Sequence, residues 1–274
     1  MTVSTNFTAR CVSWCLCALL ASSGELFACE LIKRSVAIGA YYNLGSEHDE
    51  YFPSGSQILN ERGMIPGGVI VASISCDRWM LDGELSLSSG VRDYKGMNTR
   101  GSPVNTISKI KSDASRLGIA WRLLEPLDLM ADVVLEQTSR DIVGTLDTQG
   151  YPETYDRRFV RFGARWSVPM AFGLLTLSGL TSISGHQSEV VKLPGKDPAS
   201  LSFQEPSQWE LGFSLRKMLN TATYLHVEYR YVNTTIKQSF PSVLTAAGNP
   251  VGVVYQPRTM AVDQPFALTL GMYF

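Results

Sequence analysis

Two stretches of the sequence, LDLMADVVLEQT (127–138) and RRFVRFGARWSV (157–168), each divide into an apolar face and a charged face. Successive residues of a β-strand point to opposite sides, so this period of two predicts two strands with one apolar side each. The acids of the first stretch are Asp128, Asp132 and Glu136, and the arginines of the second are Arg157, Arg161 and Arg165. Each set of charges therefore lies on a single face.

The spacing of these charges predicts how the two strands pair. Residues that face each other across an antiparallel hairpin have a constant index sum, and 128 with 165, 132 with 161 and 136 with 157 give the same sum. One register thus aligns three acid–arginine pairs.

The same alternation continues from residue 34 to the last residue. It predicts about ten strands, most of them long enough for the ~9–11 residues that a tilted strand needs to cross a bilayer. The predicted strands are 34–44, 68–76, 79–94, 107–123, 127–138, 157–168, 174–184, 208–218, 223–233 and 265–274.

The connections between these strands alternate in length. Those at 77–78, 124–126, 169–173 and 219–222 are short, whereas those at 45–66, 95–106, 139–156, 185–207 and 234–264 are long and polar. Short turns at one end and long loops at the other are typical of a transmembrane barrel. We therefore predict an all-β fold, a closed antiparallel transmembrane β-barrel of about ten strands, with eight or twelve as alternatives.

The N-terminus has the layout of a secretory signal peptide. One arginine is followed by the uncharged apolar run CVSWCLCALLASS (11–23), which is too short for a spanning helix. Cleavage after Ser23 or after Ala28 is expected, which gives a signal peptide at 1–28 and a barrel at 29–274. An alternative is lipidation at Cys29, since LFAC (26–29) loosely resembles a lipoprotein box.

Cysteine usage agrees with export. Three of the 5 cysteines lie in the signal peptide, and Cys29 and Cys76 remain as an even pair. In the predicted topology both lie at the short-turn rim, so a Cys29–Cys76 disulfide is expected if Cys29 survives processing.

The charged faces of the other strands extend the pattern of the first hairpin. Arginine suits a charged interior because its planar fork binds a carboxylate at two points and stays protonated. We predict a network of ion pairs that lines the lumen, made of Asp82, Glu84, Arg116, Arg122, Asp128, Asp132, Glu136, Arg157, Arg161, Arg165, Glu210, Arg216, His226, Glu228 and Arg230.

Tryptophans occur near the ends of the predicted strands. Trp79, Trp121 and Trp166 lie beside short turns, and Trp209 lies near a long loop. Aromatic residues at these levels form girdles at both membrane interfaces of transmembrane barrels. The alternative is that aromatic residues simply favour strands.

Composition and motifs exclude several classes. With 24 Lys and Arg against 25 Asp and Glu, the chain has no basic excess that would indicate a nucleic-acid partner. It contains no phosphate-binding loop, dinucleotide fingerprint or haem motif, so no cofactor is expected. It also contains no cluster with the spacing of metal ligands, so no metal is expected.

Together these features resemble the outer-membrane β-barrel proteins of Gram-negative bacteria. The last strand, PFALTLGMYF (265–274), ends on Phe274, and in that class such a terminal aromatic resembles the signal read by the barrel-assembly machinery. The resemblance implies an outer-membrane location and two partners, the membrane lipid and the assembly machinery. It does not identify an extracellular ligand, which stays unknown.

Three functions follow from such a barrel. The first is a surface-exposed structural or adhesive protein whose charge-paired lumen is a polar core, and it is favoured because a barrel of about ten strands has little room inside. The alternative is a small, porin-like channel for ions or small polar solutes. The third is an outer-membrane hydrolase, either an omptin-like protease or a lipid-modifying enzyme.

The hydrolase hypothesis has little support in the sequence. A resemblance to the omptin proteases would imply two acids opposite an acid–histidine pair at the extracellular end of the barrel. The superficial counterparts in this chain lie near short turns instead: Asp82, Glu84, His226 and Glu228. The motif S-x-S-x-H that ends at His186 is isolated, and Glu47-His48-Asp49-Glu50 is expected to be a solvated loop. We therefore predict no catalytic residues.

Overall fold

The alternating segments form one closed antiparallel β-barrel in a computed structural model, which describes residues 32–97, 101–146 and 148–274. The strands are β1 (Ile32–Tyr51), β2 (Gln57–Cys76), β3 (Trp79–Met97), β4 (Pro103–Leu124), β5 (Leu127–Ile142), β6 (Tyr151–Met170), β7 (Gly173–Val191), β8 (Ala199–Ser202), β9 (Ser207–Met218), β10 (Thr223–Ile236), β11 (Ser242–Ala246), β12 (Asn249–Val254), β13 (Arg258–Asp263) and β14 (Pro265–Tyr273). None of the described residues forms a helix long and apolar enough to cross a membrane.

The barrel closes through β1, which pairs with β2 on one side and with β14 and β13 on the other. The main sheet has 12 strands, but β13 and β14 follow one another along one position of the wall, and β8 pairs only with β7. Ten positions therefore surround the lumen. This confirms the predicted fold class and strand count.

The wall is apolar outside and small or polar inside. Along β1, the inward residues Ser35 and Ala37 are 2% and 3% exposed, whereas the outward residues Ile38 and Leu44 are 64% and 48% exposed. This arrangement is the reverse of a soluble protein and matches a strand whose outer face meets lipid. We call the outward apolar residues the apolar belt.

Tight connections join the strands at one end, which we call the short-turn end. Asp77 and Arg78 alone separate β2 from β3, and Asp77 adopts φ 44°, the left-handed conformation that closes so short a turn. Glu125 and Pro126 alone separate β4 from β5. The opposite end, the long-loop end, has the longer connections.

The segments predicted to be long loops are largely strands. β1 continues to Tyr51 and β2 begins at Gln57, so only residues 52–56 lie between them, and β6 begins at Tyr151. Above the apolar belt both faces of these strands are polar: Glu47 and Asp49 alternate with the buried His48 and Glu50. Because the two faces no longer differ in polarity, the sequence loses the period that reveals a strand.

A hairpin formed by β11 and β12 stands at the long-loop end. Its two-residue turn, Ala247-Gly248, has positive φ at both positions (50° and 79°), as a type I′ turn requires. Asp197, in the link between β7 and β8, holds this turn: its Oδ2 accepts hydrogen bonds from Thr245 Oγ1 at 2.7 Å and from the Gly248 amide at 3.0 Å. We call this contact the Asp197 clasp.

The clasp predicts a pH dependence. The hydrogen bonds from Gly248 and Thr245 favour the carboxylate and lower the pKa of Asp197 below its ordinary value. A group with a lowered pKa stabilises the folded state above its unfolded pKa, and this contribution is lost as pH falls through the lowered value. In a ¹³C NMR titration, the Asp197 carboxyl should titrate below ~3.9, and the Gly248 amide proton shift should follow it.

In the Asp197→Asn variant, the pH-dependent shift of the Gly248 amide should disappear while the barrel strands stay unchanged. An Asp197 carboxyl that titrates at or above the ordinary value would contradict the clasp.

Candidate functional site

The hairpin of β5 and β6 has the register that the index sum predicts. Asp128 faces Arg165, Asp132 faces Arg161, and Glu136 faces Arg157. The nearest nitrogen–oxygen distances in the three pairs are 2.7, 2.7 and 3.6 Å. All six side chains point into the barrel, so the β5–β6 hairpin forms one charged stripe of the lumen wall.

A carboxylate on β3 links two arginines from different parts of the wall. Glu84 Oε1 accepts a hydrogen bond from Arg230 Nη2 at 2.6 Å, and Glu84 Oε2 lies 3.2 Å from Arg116 Nη2. Arg230 belongs to β10 and Arg116 to β4. Since β3 and β10 are not neighbours in the sheet, the Glu84–Arg230 contact crosses the lumen.

A third arginine, Arg161 of β6, links β5 and β9. Arg161 Nε and Nη2 donate to the two oxygens of Asp132 at 2.8 and 2.7 Å, and Arg161 Nη1 donates to Glu210 Oε2 at 2.7 Å. Such two-point pairing is the strongest geometry for a guanidinium and a carboxylate. We call the six side chains that meet across the lumen here the septum: Glu84, Arg116, Asp132, Arg161, Glu210 and Arg230.

A further charged cluster, absent from the predicted network, lies inside the barrel nearer the long-loop end. Arg140 is 2% exposed and lies 2.8 Å from Glu61, 2.6 Å from Glu153 and 3.3 Å from Glu50. Tyr155 donates a hydrogen bond to Glu153. We call Glu50, Glu61, Arg140, Glu153 and Tyr155 the cap cluster.

The cap cluster is absent from the predicted network because its residues lie in segments predicted to be loops. In particular, the expectation that Glu47-His48-Asp49-Glu50 is a solvated loop is wrong. These residues belong to β1, and His48 and Glu50 are 3% and 8% exposed inside the barrel. The available signal was that His48 and Glu50 continue the inward face of Ser46 in steps of two.

Two cavities lie along the lumen. A chamber of ≈ 120 Å³ lies between the septum and the cap cluster, since Glu84 and Arg116 line one part of it and Arg140 and Tyr155 another. A vestibule of ≈ 680 Å³ lies on the other side of the septum, toward the short-turn end. The septum thus lies between the two cavities, and the cap cluster lies on the long-loop side of the chamber.

The remaining residues of the predicted network line the vestibule. Asp82, Arg165, Arg216, His226 and Glu228 border it together with Arg122. The side chain of Arg122 is 45% exposed and lies 3.2 Å from Asp128 and 3.7 Å from Glu125. Arg122 therefore belongs to the mouth of the vestibule.

The four tryptophans of the predicted girdles lie on the outside of the barrel at two levels. Trp79 and Trp121 stack with ring centroids 6.0 Å apart at the short-turn end, where Trp166 is 42% exposed. Trp209 packs against Tyr231 with centroids 5.3 Å apart, nearer the long-loop end. Contact of these rings with lipid headgroups stays a prediction.

Two further predictions concern the chain ends. Phe274 is 60% exposed at the end of the wall formed by β14, and its role in assembly stays a prediction. Cys76 ends β2 at the short-turn end, but Cys29 lies outside the described residues, as does the whole of the predicted signal peptide. The Cys29–Cys76 disulfide therefore also stays a prediction.

The histidines do not form a hydrolytic site with the serines near them. Ser182 accepts a hydrogen bond from the Gln208 amide at 2.8 Å, whereas Ser184 and His186 are exposed on the outside of β7 beyond a bulge. The imidazole of His226 makes no hydrogen bond within the described part of the chain. In the same residues, no three His, Cys, Asp or Glu side chains are arranged to hold a metal ion.

Glu189 is a buried carboxylate whose negative charge is poorly stabilised by its surroundings. It is 1% exposed, and neither of its oxygens has a hydrogen-bond partner among residues 32–97, 101–146 and 148–274. It lies beyond the outward polar residues His186 and Ser188, on the long-loop side of the apolar belt. Burial, with Glu153 and Glu50 nearby, raises the pKa of Glu189 well above its ordinary value.

This environment predicts that Glu189→Gln stabilises the barrel at alkaline pH. A carboxyl with a raised pKa costs stability as pH rises from its unfolded pKa through its folded pKa, because the charged form is disfavoured in the folded state. The variant should gain about 1 kcal/mol in free energy of unfolding at pH 8. The gain should vanish below about pH 3, which lies more than a unit below the unfolded pKa of ~4.3, so that the group is protonated in both states. Urea unfolding in lipid vesicles measures it.

Glu205→Gln, at an exposed position, is the matched control and should change stability at neither pH. A loss of stability in Glu189→Gln at pH 8 would show that the carboxylate is needed.

Comparison with known proteins gives the fold a context. No protein-family model and no curated protein sequence matches the chain. Among solved structures, the outer membrane protease OmpT from Escherichia coli is similar with 12% identity and a TM-score of 0.63, over 90% of this chain and 97% of that one. The translocator domain of the autotransporter NalP from Neisseria meningitidis matches with 12% identity and a TM-score of 0.45, over 97% and 96% of the two chains.

The identities are too low to show more than architecture, and the OmpT match shows it over nearly the whole of both chains. The protein has the fold of the Gram-negative outer-membrane β-barrel proteins.

Proposed function

We propose that this protein is an outer-membrane barrel that is closed to solutes and acts through its extracellular surface, as a structural or adhesive protein. In this orientation the short-turn end is periplasmic and the long-loop end is extracellular. The outer-membrane lipid contacts the apolar belt, and the barrel-assembly machinery receives the last strand with Phe274.

The observation that carries the proposal is the double block of the lumen. The septum and the cap cluster each join carboxylates and arginines from several strands at distances down to 2.6 Å. Aqueous channels are typical of much wider barrels, and here the interior is just wide enough for side chains to fill. Buried ion pairs of opposite sign favour a plug over a pathway, because breaking one leaves an unpaired charge in a poorly solvated interior.

The extracellular surface offers an exposed apolar site. On and beside the β11–β12 hairpin, five large apolar side chains are 46–63% exposed: Phe240, Val243, Val251, Val253 and Tyr255. Val243 and Val253 face each other in the hairpin register. Exposed apolar clusters of this kind mark contact surfaces in soluble parts of proteins, which supports an adhesive role for the hairpin.

A small channel is the second candidate, and the vestibule and the chamber favour it. Both cavities are bordered by polar side chains, among them Ser86 and Ser112 in the chamber and Ser73 and Ser214 in the vestibule. If the septum and the cap cluster opened, these cavities would provide a polar path, and interior residues would tune permeation. A channel therefore requires two openings in series.

The similarity to OmpT, named as a protease, is the support for a hydrolase. Here Asp82, Glu84, His226 and Glu228 border the vestibule, on the periplasmic side of the septum. They are therefore separated from the extracellular end, and we propose no catalytic role for them.

The closed lumen predicts a non-additive effect on conductance. We expect the wild-type protein to show no conductance in planar bilayers. The septum variant Arg161→Ala/Arg230→Ala and the cap variant Arg140→Ala should also show none, since each variant retains one of the two charged clusters in the lumen. The triple variant should conduct steadily. Because each substitution leaves buried carboxylates unpaired, at a cost of ~3–5 kcal/mol, folding is first checked by heat-dependent gel mobility.

Arg158→Ala is the matched control, because Arg158 is exposed on the outside of β6, and it should stay silent. Steady wild-type conductance would overturn the closed-barrel proposal and favour the channel. Conductance in either partial variant would show that only one block seals the lumen.

The adhesive proposal predicts that the hairpin binds apolar surfaces. The variant Val243→Ser/Val253→Ser removes two exposed valines, each worth ~1.5–3 kcal/mol when fully buried, so capture of proteoliposomes on hydrocarbon-coated beads should fall about tenfold or more. Val190→Ser, at an exposed position of β7 outside the hairpin, should have no effect. Equal capture of both variants and wild type would contradict an adhesive hairpin.

A further inference from the structure

The vestibule is large enough for a small organic molecule and opens toward the periplasm. Its ≈ 680 Å³ falls in the usual range of ligand pockets, ~300–1,000 Å³. Asp77 at the β2–β3 turn and Glu125 at the β4–β5 turn lie at its rim and are exposed. The septum forms its floor, through Glu84 and Arg116.

Two polar side chains that border the vestibule, Glu228 and His226, lack a close partner of their own. The nearest guanidinium atom to the Glu228 carboxylate is Arg230 Nε at 3.9 Å, and the Glu228 side chain is 20% exposed. Neither the Glu228 carboxylate nor the His226 imidazole makes a hydrogen bond within the described residues. Buried polar groups are normally paired, so these groups are free to bind a ligand.

The floor of the vestibule has an excess of negative charge. Asp82 is 7% exposed, one of its oxygens has no hydrogen-bond partner in the described residues, and the other lies 3.6 Å from Arg116. Three carboxylates, of Asp82, Glu84 and Glu228, thus share two guanidinium groups. A cationic group of a ligand would balance them.

Around Arg216 the imbalance has the opposite sign. Arg216 Nη1 donates to Tyr273 Oη at 2.9 Å, and its guanidinium lies 4.8 Å from the centre of the Tyr224 ring. Its Nε has no acceptor, and no carboxylate of the described chain lies within ion-pair distance of it. An anionic group of a ligand would find an oriented guanidinium here.

The positions of the two sites define the ligand. Arg216 on β9 faces His226 on β10, and Glu228 is the next inward residue of β10. Two residues of a strand span about 7 Å, so the cationic and anionic groups of the ligand must be separated by several bonds. We propose that the vestibule binds a small zwitterion of dipeptide size from the periplasmic side, with its ammonium group at Glu228 and Asp82 and its carboxylate at Arg216.

Glycylglycine and two analogues test this proposal by NMR titration of the folded protein in lipid discs, with the His226 ring as reporter. Glycylglycine should bind saturably to wild type. N-acetylglycylglycine, which lacks the ammonium group, and glycylglycine amide, which lacks the carboxylate, should each bind at least about tenfold more weakly, since each loses a charge-assisted contact.

Variants assign the two ends of the ligand. Glu228→Gln and Arg216→Gln should each weaken glycylglycine at least about tenfold, whereas Glu228→Gln should leave N-acetylglycylglycine unaffected and Arg216→Gln should leave the amide unaffected. Glu205→Gln and Lys217→Gln, both exposed and outside the vestibule, are charge-matched controls and should bind as wild type.

No saturable change in wild type up to ~50 mM glycylglycine, a Kd weaker than the millimolar range, would overturn the proposal. Equal affinities of the wild-type protein for glycylglycine and its two analogues would also overturn it, and this comparison requires no variant. The result does not depend on whether the barrel conducts.

Discussion

A guanidinium in the middle of a narrow barrel is stable only beside carboxylates, and this constraint shapes the lumen. Ten wall positions enclose a space that side chains must fill, and a charge placed there is poorly solvated. Arg161 and Arg140 meet the requirement by linking two and three acids from different strands. Each of these ion pairs also connects strands that are distant in the sequence. The same contacts therefore neutralise the buried charges and stabilise the barrel wall.

The sequence reveals this arrangement where a lipid-facing side contrasts with a charged side. In β5 and β6 the apolar residues fix which face is outside, and charges spaced four apart then leave one register that pairs Asp132 with Arg161. The barrel class, the strand count of about ten and the charged stripe were therefore predictable from the period of two, the alternating lengths of the connections and the index sum. Contacts such as Glu84 with Arg230 were not, because they join strands on opposite sides of the lumen, and no local spacing encodes them.

The cap cluster was hidden for a different reason. Beyond the apolar belt the outer face meets water, so Glu47 and Asp49 outside are as polar as His48 and Glu50 inside. A strand with two polar faces has the composition of a loop, and hydrophobic periodicity cannot distinguish them. Burial there is decided by the continuation of the neighbouring strands, which only the three-dimensional structure shows.

The two blocks and the vestibule differ in what their charges do. In the septum and the cap cluster nearly every charged group is bound by another, which is what a polar core requires and what a ligand site cannot allow. At Glu228 and Arg216 opposite charges lie on neighbouring strands, yet each lacks a close partner of its own. A polar core has no need of such a separation, since residues at this diagonal of two neighbouring strands are within reach of long side chains and could pair. The lumen therefore combines a part where charges neutralise one another with a part near the short-turn end whose charges lack close partners of their own.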